Sequence, residues 1–158
     1  MLDLIVRGGT VVTGQGKGAW DIGIEGERIA AVAQPGTLPQ AGRVVDVTGK
    51  VVVPGGVEPH THLAHRIGMH PDEDLYTLGP EDDTRGMAFA GTTTHIDFCW
   101  VRPDTDVGPT IERRLARWKG NSHVDYSFHI ALCGPLEIRV FDQLTDAIKD
   151  GLDRKSVV

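Results

Sequence analysis

Hydrophobic and polar residues alternate over short stretches at the start of the chain, and glycine-containing turn signals separate these stretches. In the clearest case Ile22 and Ile24 precede Gly26, and Ile29 follows it. Alternation on both sides of a glycine turn predicts an antiparallel hairpin. Because such short stretches recur, residues 1–50 are predicted to form strands of a small β-sandwich.

From residue 51 the pattern changes to strands separated by helices. Val51, Val52 and Val53 form an unbroken β-branched run, which is typical of a strand buried on both faces of a parallel sheet. Further strands are predicted at residues 92–98 and 124–132, and helices after Pro80, from near Thr110 and around Phe141. Strands that alternate with helices indicate βα units. The fold class is therefore α/β, with three βα units in residues 51–158.

The second predicted helix has one apolar stripe. Ile111, Leu115 and Trp118 recur at i, i+4 and i+7, so they share a face that can pack on the sheet. Four basic residues fall mostly elsewhere on this helix, namely Arg113, Arg114, Arg117 and Lys119. We interpret them as a solvated face rather than a basic binding surface.

Composition narrows the class of protein. The formal net charge is −6, and the absence of a basic face argues against nucleic-acid binding. No apolar run approaches the roughly 20 residues that span a bilayer, and no secretory signal precedes the first strand. We therefore expect a cytoplasmic protein with no nucleic-acid or membrane partner, in which Cys99 and Cys133 are reduced thiols.

A histidine pair follows the valine run. Residues 54–63 read PGGVEPHTHL, so that His60 and His62 flank Thr61. In an extended chain the two imidazoles share one face, and Thr61 points to the other. Two such nitrogens would supply half of a tetrahedral zinc site. A solvated pair is the alternative, but a position just beyond a buried parallel strand, where α/β barrels carry their chemistry, favours a metal site.

This segment resembles the signature of the amidohydrolase superfamily, in particular its cyclic branch of hydantoinases, dihydropyrimidinases, allantoinases and dihydroorotases. Four other segments are similar to strands of that family in order and spacing: 3–13, 21–32, 91–98 and 124–130. The resemblance implies the N-terminal part of a (β/α)8 TIM-type barrel, preceded by strands of a β-sandwich. Because a complete barrel takes about 250 residues, the 158-residue chain is expected to hold an incomplete metal-dependent barrel.

The resemblance also implies a chemistry, the metal-dependent hydrolysis of a small cyclic amide of the hydantoin or dihydropyrimidine type. His60 and His62 would bind one of two zinc ions, which activate a bridging hydroxide and polarise the amide carbonyl. The family completes this site with a carboxylated lysine on strand four, two further histidines and a catalytic aspartate on strand eight, which is expected beyond residue 158. We expect the full-length protein to be a homo-oligomer and this chain alone to be inactive.

The bridging lysine of the family would fall close to residue 155. Its pattern is roughly G-x-x-S-F-K-V-F, whereas this chain reads GLDRKSVV from Gly151. Lys155 is one residue too near the glycine and follows Arg154, whose unpaired burial would be costly. We interpret the final residues as a departure from the family, with Lys155 as a secondary candidate for the bridging lysine.

The other five histidines receive structural interpretations. His65 and His70 lie in the loop after the first strand, where a substrate contact is open but an exposed histidine without a role is favoured. His95 and His129 are expected to be hydrogen-bonded in the sheet, because buried imidazoles normally find partners. His123 is expected at the surface.

Three alternatives stay open at this point. Asp97 and Cys99 end the second strand near the expected site, but neither resembles a family ligand. Separately, the sequence does not reveal which ring the enzyme would open. A dihydroorotase-like or allantoinase-like enzyme is therefore one alternative. A non-catalytic scaffold relative is the second, which the presence of both His60 and His62 disfavours. The third is an inert fragment that lacks the remaining ligands.

Overall fold

The computed structural model describes residues 1–67, 72–149 and 155–157, the last of these by backbone alone. The chain divides into two compact units, Met1–Pro54 and Gly55–Val158. The pattern of the sequence places the change at residue 51 instead. Among the described residues, none of the helices is both long and apolar enough to cross a membrane.

The first unit consists of seven strands in two sheets. The strands are β1 Leu2–Arg7, β2 Thr10–Thr13, β3 Gly16–Ala19, β4 Asp21–Glu25, β5 Arg28–Ala33, β6 Ala41–Asp46 and β7 Val51–Val52. The sheet orders are β5-β4-β1-β6 and β3-β2-β7. The predicted hairpin is confirmed, because β4 pairs antiparallel with β5 around Gly26, whose φ of 59° a glycine adopts without strain. Leu2, Ile5 and Ile22 are buried in the first sheet.

The valine run does not form a buried strand of a parallel α/β sheet. Val51 and Val52 pair in parallel with Thr10 and Val11 and thus belong to the first unit. Val51 is 65% exposed and Val53 is 60% exposed, so the interpretation of a strand buried on both faces is wrong. β-branched residues favour extended backbone, but tertiary pairing decides which sheet they join.

The second unit alternates strands with helices. Its elements are β8 Gly56–Glu58, α1 Pro80–Ala90, β9 Thr92–Val101, α2 Val107–Trp118, β10 Asp125–Leu132, α3 Ile138–Lys149 and β11 Lys155–Val157. The strands form one parallel sheet in the order β11-β10-β9-β8. The three predicted strand–helix units are confirmed, with β8 rather than the valine run as the first strand.

The helix ends follow local chemistry in one case and tertiary contacts in another. As predicted, α1 begins at Pro80 and is closed by Gly91, which has a left-handed φ of 89°. In contrast, α2 begins before the predicted start near Thr110. The side-chain oxygen of Gln143 accepts a hydrogen bond from the first helical N–H, that of Val107, at 3.0 Å. This partner lies on α3, so local sequence could not reveal it.

The core of the second unit lies between its sheet and the helices α2 and α3. The buried residues of this cluster are Leu63, Cys99, Val101, Val107, Ile111, Trp118, Phe128, Ile130, Val140 and Leu144. Leu63 belongs to the segment that follows β8, so this segment is packed against the core. The core thereby fixes the part of the chain that carries the histidine pair.

Candidate metal-binding site

His60 and His62 lie just beyond the carboxyl end of β8. Both are exposed, whereas Thr61 and Leu63 are only 8% and 4% exposed. The predicted alternation is therefore confirmed, with both imidazoles on one face. Their Nε2 atoms are 3.1 Å apart, and the ring centroids are 4.9 Å apart with an interplanar angle of 86°.

The spacing of the two Nε2 atoms fits a shared ion. With N–Zn distances of about 2.0–2.1 Å, nitrogens 3.1 Å apart subtend about 100° at the ion, near the tetrahedral angle. Burial, helped by the neighbouring His65 and His60, lowers the pKa of His62 and so favours the neutral form that a ligand needs. Within the described residues no group of three or more histidine, cysteine or acidic side chains is arranged to hold a metal. The described part of the chain thus offers a pair of donors.

An aromatic floor supports both imidazoles. The ring centroid of Phe98, a residue only 3% exposed, lies 4.7 Å from that of His60 and 4.8 Å from that of His62. Phe98 also lies 5.1 Å from the ring of His129, whose Nε2 is hydrogen-bonded to the carbonyl oxygen of Pro59 at 2.9 Å. The hydrogen bond predicted for His129 is therefore confirmed. Packing of this kind restricts the rotation of the rings and limits water on one side of the site.

His95 is a structural histidine, as predicted. It is fully buried, and its Nδ1 lies 3.0 Å from the hydroxyl oxygen of Thr61. The indole N–H of Trp118 donates to its Nε2 at 3.2 Å. Burial lowers the pKa of His95, so the ring is neutral. A neutral imidazole with both nitrogens engaged has no lone pair left for a metal.

Asp97 organises the segment around the histidine pair, although it resembles no family ligand. This fully buried carboxylate accepts hydrogen bonds from Leu63 N at 2.7 Å, the hydroxyl of Thr61 at 3.0 Å and Arg114 Nη2 at 2.5 Å. Burial acts to raise the pKa of Asp97, but hydrogen bonds from His65, Leu63 and Arg114 and the charge of Arg114 hold it down at about 2. The carboxylate is therefore ionised at neutral pH.

Arg114 does not belong to a solvated face. Its side chain is 14% exposed, and the guanidinium lies 4.2 Å above the ring of Trp118. The prediction is wrong for this residue, because Arg114 is three residues after Ile111 and four before Trp118 and so flanks the apolar stripe. This spacing beside the apolar stripe is the feature of the sequence that could have identified Arg114 as a largely buried residue. Arg117, in contrast, pairs with Glu81 at the surface.

His65 joins the same network, so its interpretation as a loop histidine without a role is wrong. Its Nε2 lies 3.1 Å from the Oδ1 atom of Asp97 and 3.3 Å from the indole nitrogen of Trp100. These partners come from β9, far along the chain, and only the fold brings them together. His123 is exposed, as predicted, and His70 lies outside the described residues.

Lys155 and the two cysteines complete the set of candidates. Lys155 is placed by its backbone, as the partner of Ile130 at the start of β11, and its role as a bridging lysine stays a prediction. Cys99 and Cys133 are free thiols, as predicted. Burial raises the pKa of Cys99 to about 12, so this thiol is protonated and unsuited to metal binding.

No protein-family model matches the chain, but curated relatives do. A D-hydantoinase of Rhizobium radiobacter is 34% identical over 140 residues, a match that covers 86% of this chain and 28% of the relative. An allantoinase of Salmonella choleraesuis (strain SC-B67) is 35% identical over 124 residues, which is 78% of this chain and 26% of the relative. The chain thus spans about a quarter of the length of the curated relatives that it matches.

Solved structures give the same relationship. A crystal structure of D-hydantoinase matches with a TM-score of 0.85 at 30% identity, covering 99% of this chain and 32% of that one. Dihydropyrimidinase from Brevibacillus agri NCHU1002 gives 0.83 at 29% identity over 95% and 31%. The predicted relationship to the cyclic branch of the amidohydrolases is therefore confirmed. Within that branch the chain corresponds to the N-terminal part of the hydantoinase and dihydropyrimidinase type.

Proposed function

We propose that the protein carrying this chain is a metal-dependent hydrolase of cyclic amides, which opens the C–N bond of a hydantoin or dihydropyrimidine ring. The observation that carries this proposal is the 3.1 Å spacing of the Nε2 atoms of His60 and His62, directly after a parallel strand in a relative of the hydantoinases. A pair that is merely solvated would need neither the packing of Phe98 against both rings nor the buried hydrogen bonds of Thr61, the residue between them.

The proposal extends to the fold. The parallel strands β8, β9, β10 and β11 would open a (β/α)8 TIM-type barrel, and the two sheets of the first unit would be strands of a β-sandwich. Such barrels carry their active sites at the carboxyl ends of the strands, which is where His60 and His62 lie relative to β8.

We assign His60 and His62 to one ion of a two-zinc site, with Lys155 as the weaker candidate for the bridge. When bound, the ions supply Lewis acidity toward the amide carbonyl and a hydroxide nucleophile near neutral pH. Ligation through Nε2 requires His60 and His62 to hold their protons on Nδ1. Phe98 excludes water from beneath them. The resemblance assigns the proton carrier to an aspartate beyond residue 158.

An allantoinase-type enzyme is the second candidate, because a curated allantoinase is 35% identical to this chain over 124 residues, against 34% over 140 residues for the hydantoinase. A dihydroorotase-like activity involves the same class of bond. The cytoplasmic location and the homo-oligomeric state stay predictions. A scaffold without catalysis would not require the paired imidazoles.

A chimaera tests the activity. This chain is joined to the remainder of a D-hydantoinase barrel, loaded with zinc and assayed with hydantoin, dihydrouracil and allantoin. We expect turnover of hydantoin or dihydrouracil that His60→Ala and His62→Ala abolish, while the exposed control His123→Ala keeps it. Ring preference is measured on the full-length protein that carries this chain, in which preferred turnover of allantoin would favour the second candidate. Full activity of the His60→Ala, His62→Ala double variant would overturn the assignment.

Zinc binding to the chain itself tests the ligands without any turnover. We expect weak binding, because two protein ligands leave most of the coordination shell to water. The double variant should lose this binding in calorimetry. Tight stoichiometric binding that the double variant retains would contradict the assignment.

A further inference from the structure

We infer that a directional chain of buried hydrogen bonds, from Trp118 through His95 and Thr61 to Asp97, positions His60 and His62 for metal binding. This inference rests on the metal site of the proposed function. It assigns Thr61 as a positioning residue, because its side chain lies between the two ligands in sequence and on the opposite face of the backbone.

The direction of this chain of hydrogen bonds follows from which groups can donate and which can only accept. The indole N–H of Trp118 only donates, so the Nε2 of His95 at 3.2 Å must accept. The neutral His95 ring then carries its proton on Nδ1 and donates it to the Thr61 hydroxyl oxygen at 3.0 Å. The Thr61 hydroxyl in turn donates to Asp97 Oδ2 at 3.0 Å, with the carbonyl of Ile96 at 3.2 Å as a second acceptor. The carboxylate accepts only, and ends the chain.

The backbone around the ligands is held by the same elements. The N–H of Thr61 donates to the carbonyl of Ile96 at 3.1 Å, and the N–H of Leu63 donates to Asp97 Oδ2 at 2.7 Å. Both inward-facing residues of the segment are thus tied to β9. Because side chains alternate along an extended chain, fixing residues 61 and 63 also fixes the directions of His60 and His62.

Burial makes this chain of hydrogen bonds costly to break. His95, Asp97 and Trp118 are fully buried, and Thr61 is 8% exposed. Without the hydroxyl, the Nδ1–H of His95 would lose its partner away from water, and the segment would have to shift to satisfy it. Groups that orient metal ligands in this way typically change metal affinity by about 10–100-fold when they are mutated.

The test compares two buried threonines. Thr61→Val removes the hydroxyl of the proposed chain. Thr84→Val is the matched control, because Thr84 is fully buried and its hydroxyl donates to the carbonyl of Pro80 and accepts from His123 N–H. Histidine-labelled protein is titrated with zinc and followed by ¹⁵N NMR, which reports the zinc dissociation constant and the tautomer of each ring. Thermal unfolding is measured in parallel.

We expect Thr61→Val to weaken zinc binding by about 10-fold or more and Thr61→Ser to restore it. Thr84→Val should lower the melting temperature while the zinc affinity stays at the wild-type value. Equal zinc affinities of Thr61→Val and Thr84→Val would overturn the inference but leave the metal site standing. If zinc binding were unchanged in the His60→Ala, His62→Ala double variant, the assignment of the metal site itself would be wrong.

Trp118→Phe provides a second variant should Thr61→Val fail to fold. It removes the first donor and leaves Thr61 intact. We expect part of the His95 population to carry its proton on Nε2 instead of Nδ1. Zinc affinity should fall, as it does in Thr61→Val. A changed His95 tautomer with unchanged zinc affinity would contradict the positioning role.

Discussion

The buried carboxylate of Asp97 accepts a hydrogen bond from the backbone N–H of Leu63 at 2.7 Å. This contact joins the inner strand β9 to the residue directly after the histidine pair. Arg114 of α2 contacts both residues. Its Nη2 atom donates to Asp97 Oδ1 and to the carbonyl oxygen of Leu63, each at 2.5 Å. Three elements therefore converge on one carboxylate, and its partners should control both stability and the geometry of the site.

Removal of Arg114 should be strongly destabilising. Arg114→Ala leaves the ionised Asp97 buried without its cation, so we expect the free energy of unfolding to fall by about 3–5 kcal/mol. Arg117→Ala is the matched control, because Arg117 pairs with Glu81 where both side chains are more than 40% exposed, and it should cost at most about 1 kcal/mol. Urea unfolding measures both. Equal losses in the two variants would contradict the buried ion pair.

Asp97 should make stability depend on acid pH. Its folded-state pKa of about 2 lies below the ordinary value of 3.8, so the stabilisation is complete above about pH 4 and is lost as the pH falls through 2. The total change is about 2 kcal/mol. In urea unfolding between pH 2 and 7, Asp97→Asn should flatten this dependence, whereas Asp125→Asn, at an exposed position, should keep it. An unchanged slope in Asp97→Asn would refute the assignment.

The two cysteines should differ in reactivity. Cys99 is 1% exposed and its pKa is raised to about 12, whereas Cys133 is partly exposed. Because the thiolate is the reactive form, a thiol reagent should label Cys133 in the native protein and reach Cys99 only after unfolding. Mass spectrometry of labelled Cys99→Ser and Cys133→Ser proteins checks this. Rapid native labelling of the Cys133→Ser protein would show that Cys99 is accessible.

The chain by itself should self-associate. The parallel sheet of the second unit ends at β8 and β11, and Val57 on β8 is 61% exposed. Unpaired strand edges with apolar side chains promote association between copies. We expect a concentration-dependent apparent mass in gel filtration with light scattering. A sharp monomer peak at every concentration, with a cooperative melt, would contradict this expectation.

Local chemistry accounts for the elements that sequence predicted well. The turn at Gly26 and the helix between Pro80 and Gly91 depend on backbone preferences of the residues themselves. The common face of His60 and His62 follows from alternation along extended backbone, and the structure confirms it. Such features need no knowledge of distant partners.

Other features were decided by contacts between residues far apart in sequence. The valine run at 51–53 has the composition of a buried strand, yet its pairing with β2 leaves it largely exposed. The sequence predicts exposed positions for Arg114 and His65. It cannot reveal their common partner Asp97, which is 17 and 32 residues away along the chain. Charge and hydrophobicity alone cannot identify such partners.

The sequence by itself determined the class of the protein and the common face of the two imidazoles, because motif spacing and backbone periodicity are local properties. Only the tertiary structure decided how those imidazoles are held. The Asp97 carboxylate is stable in the core because the fold supplies Arg114, Thr61 and Leu63 N–H as partners. A buried charge is tolerated only when such partners surround it, and their convergence is a property of three-dimensional packing.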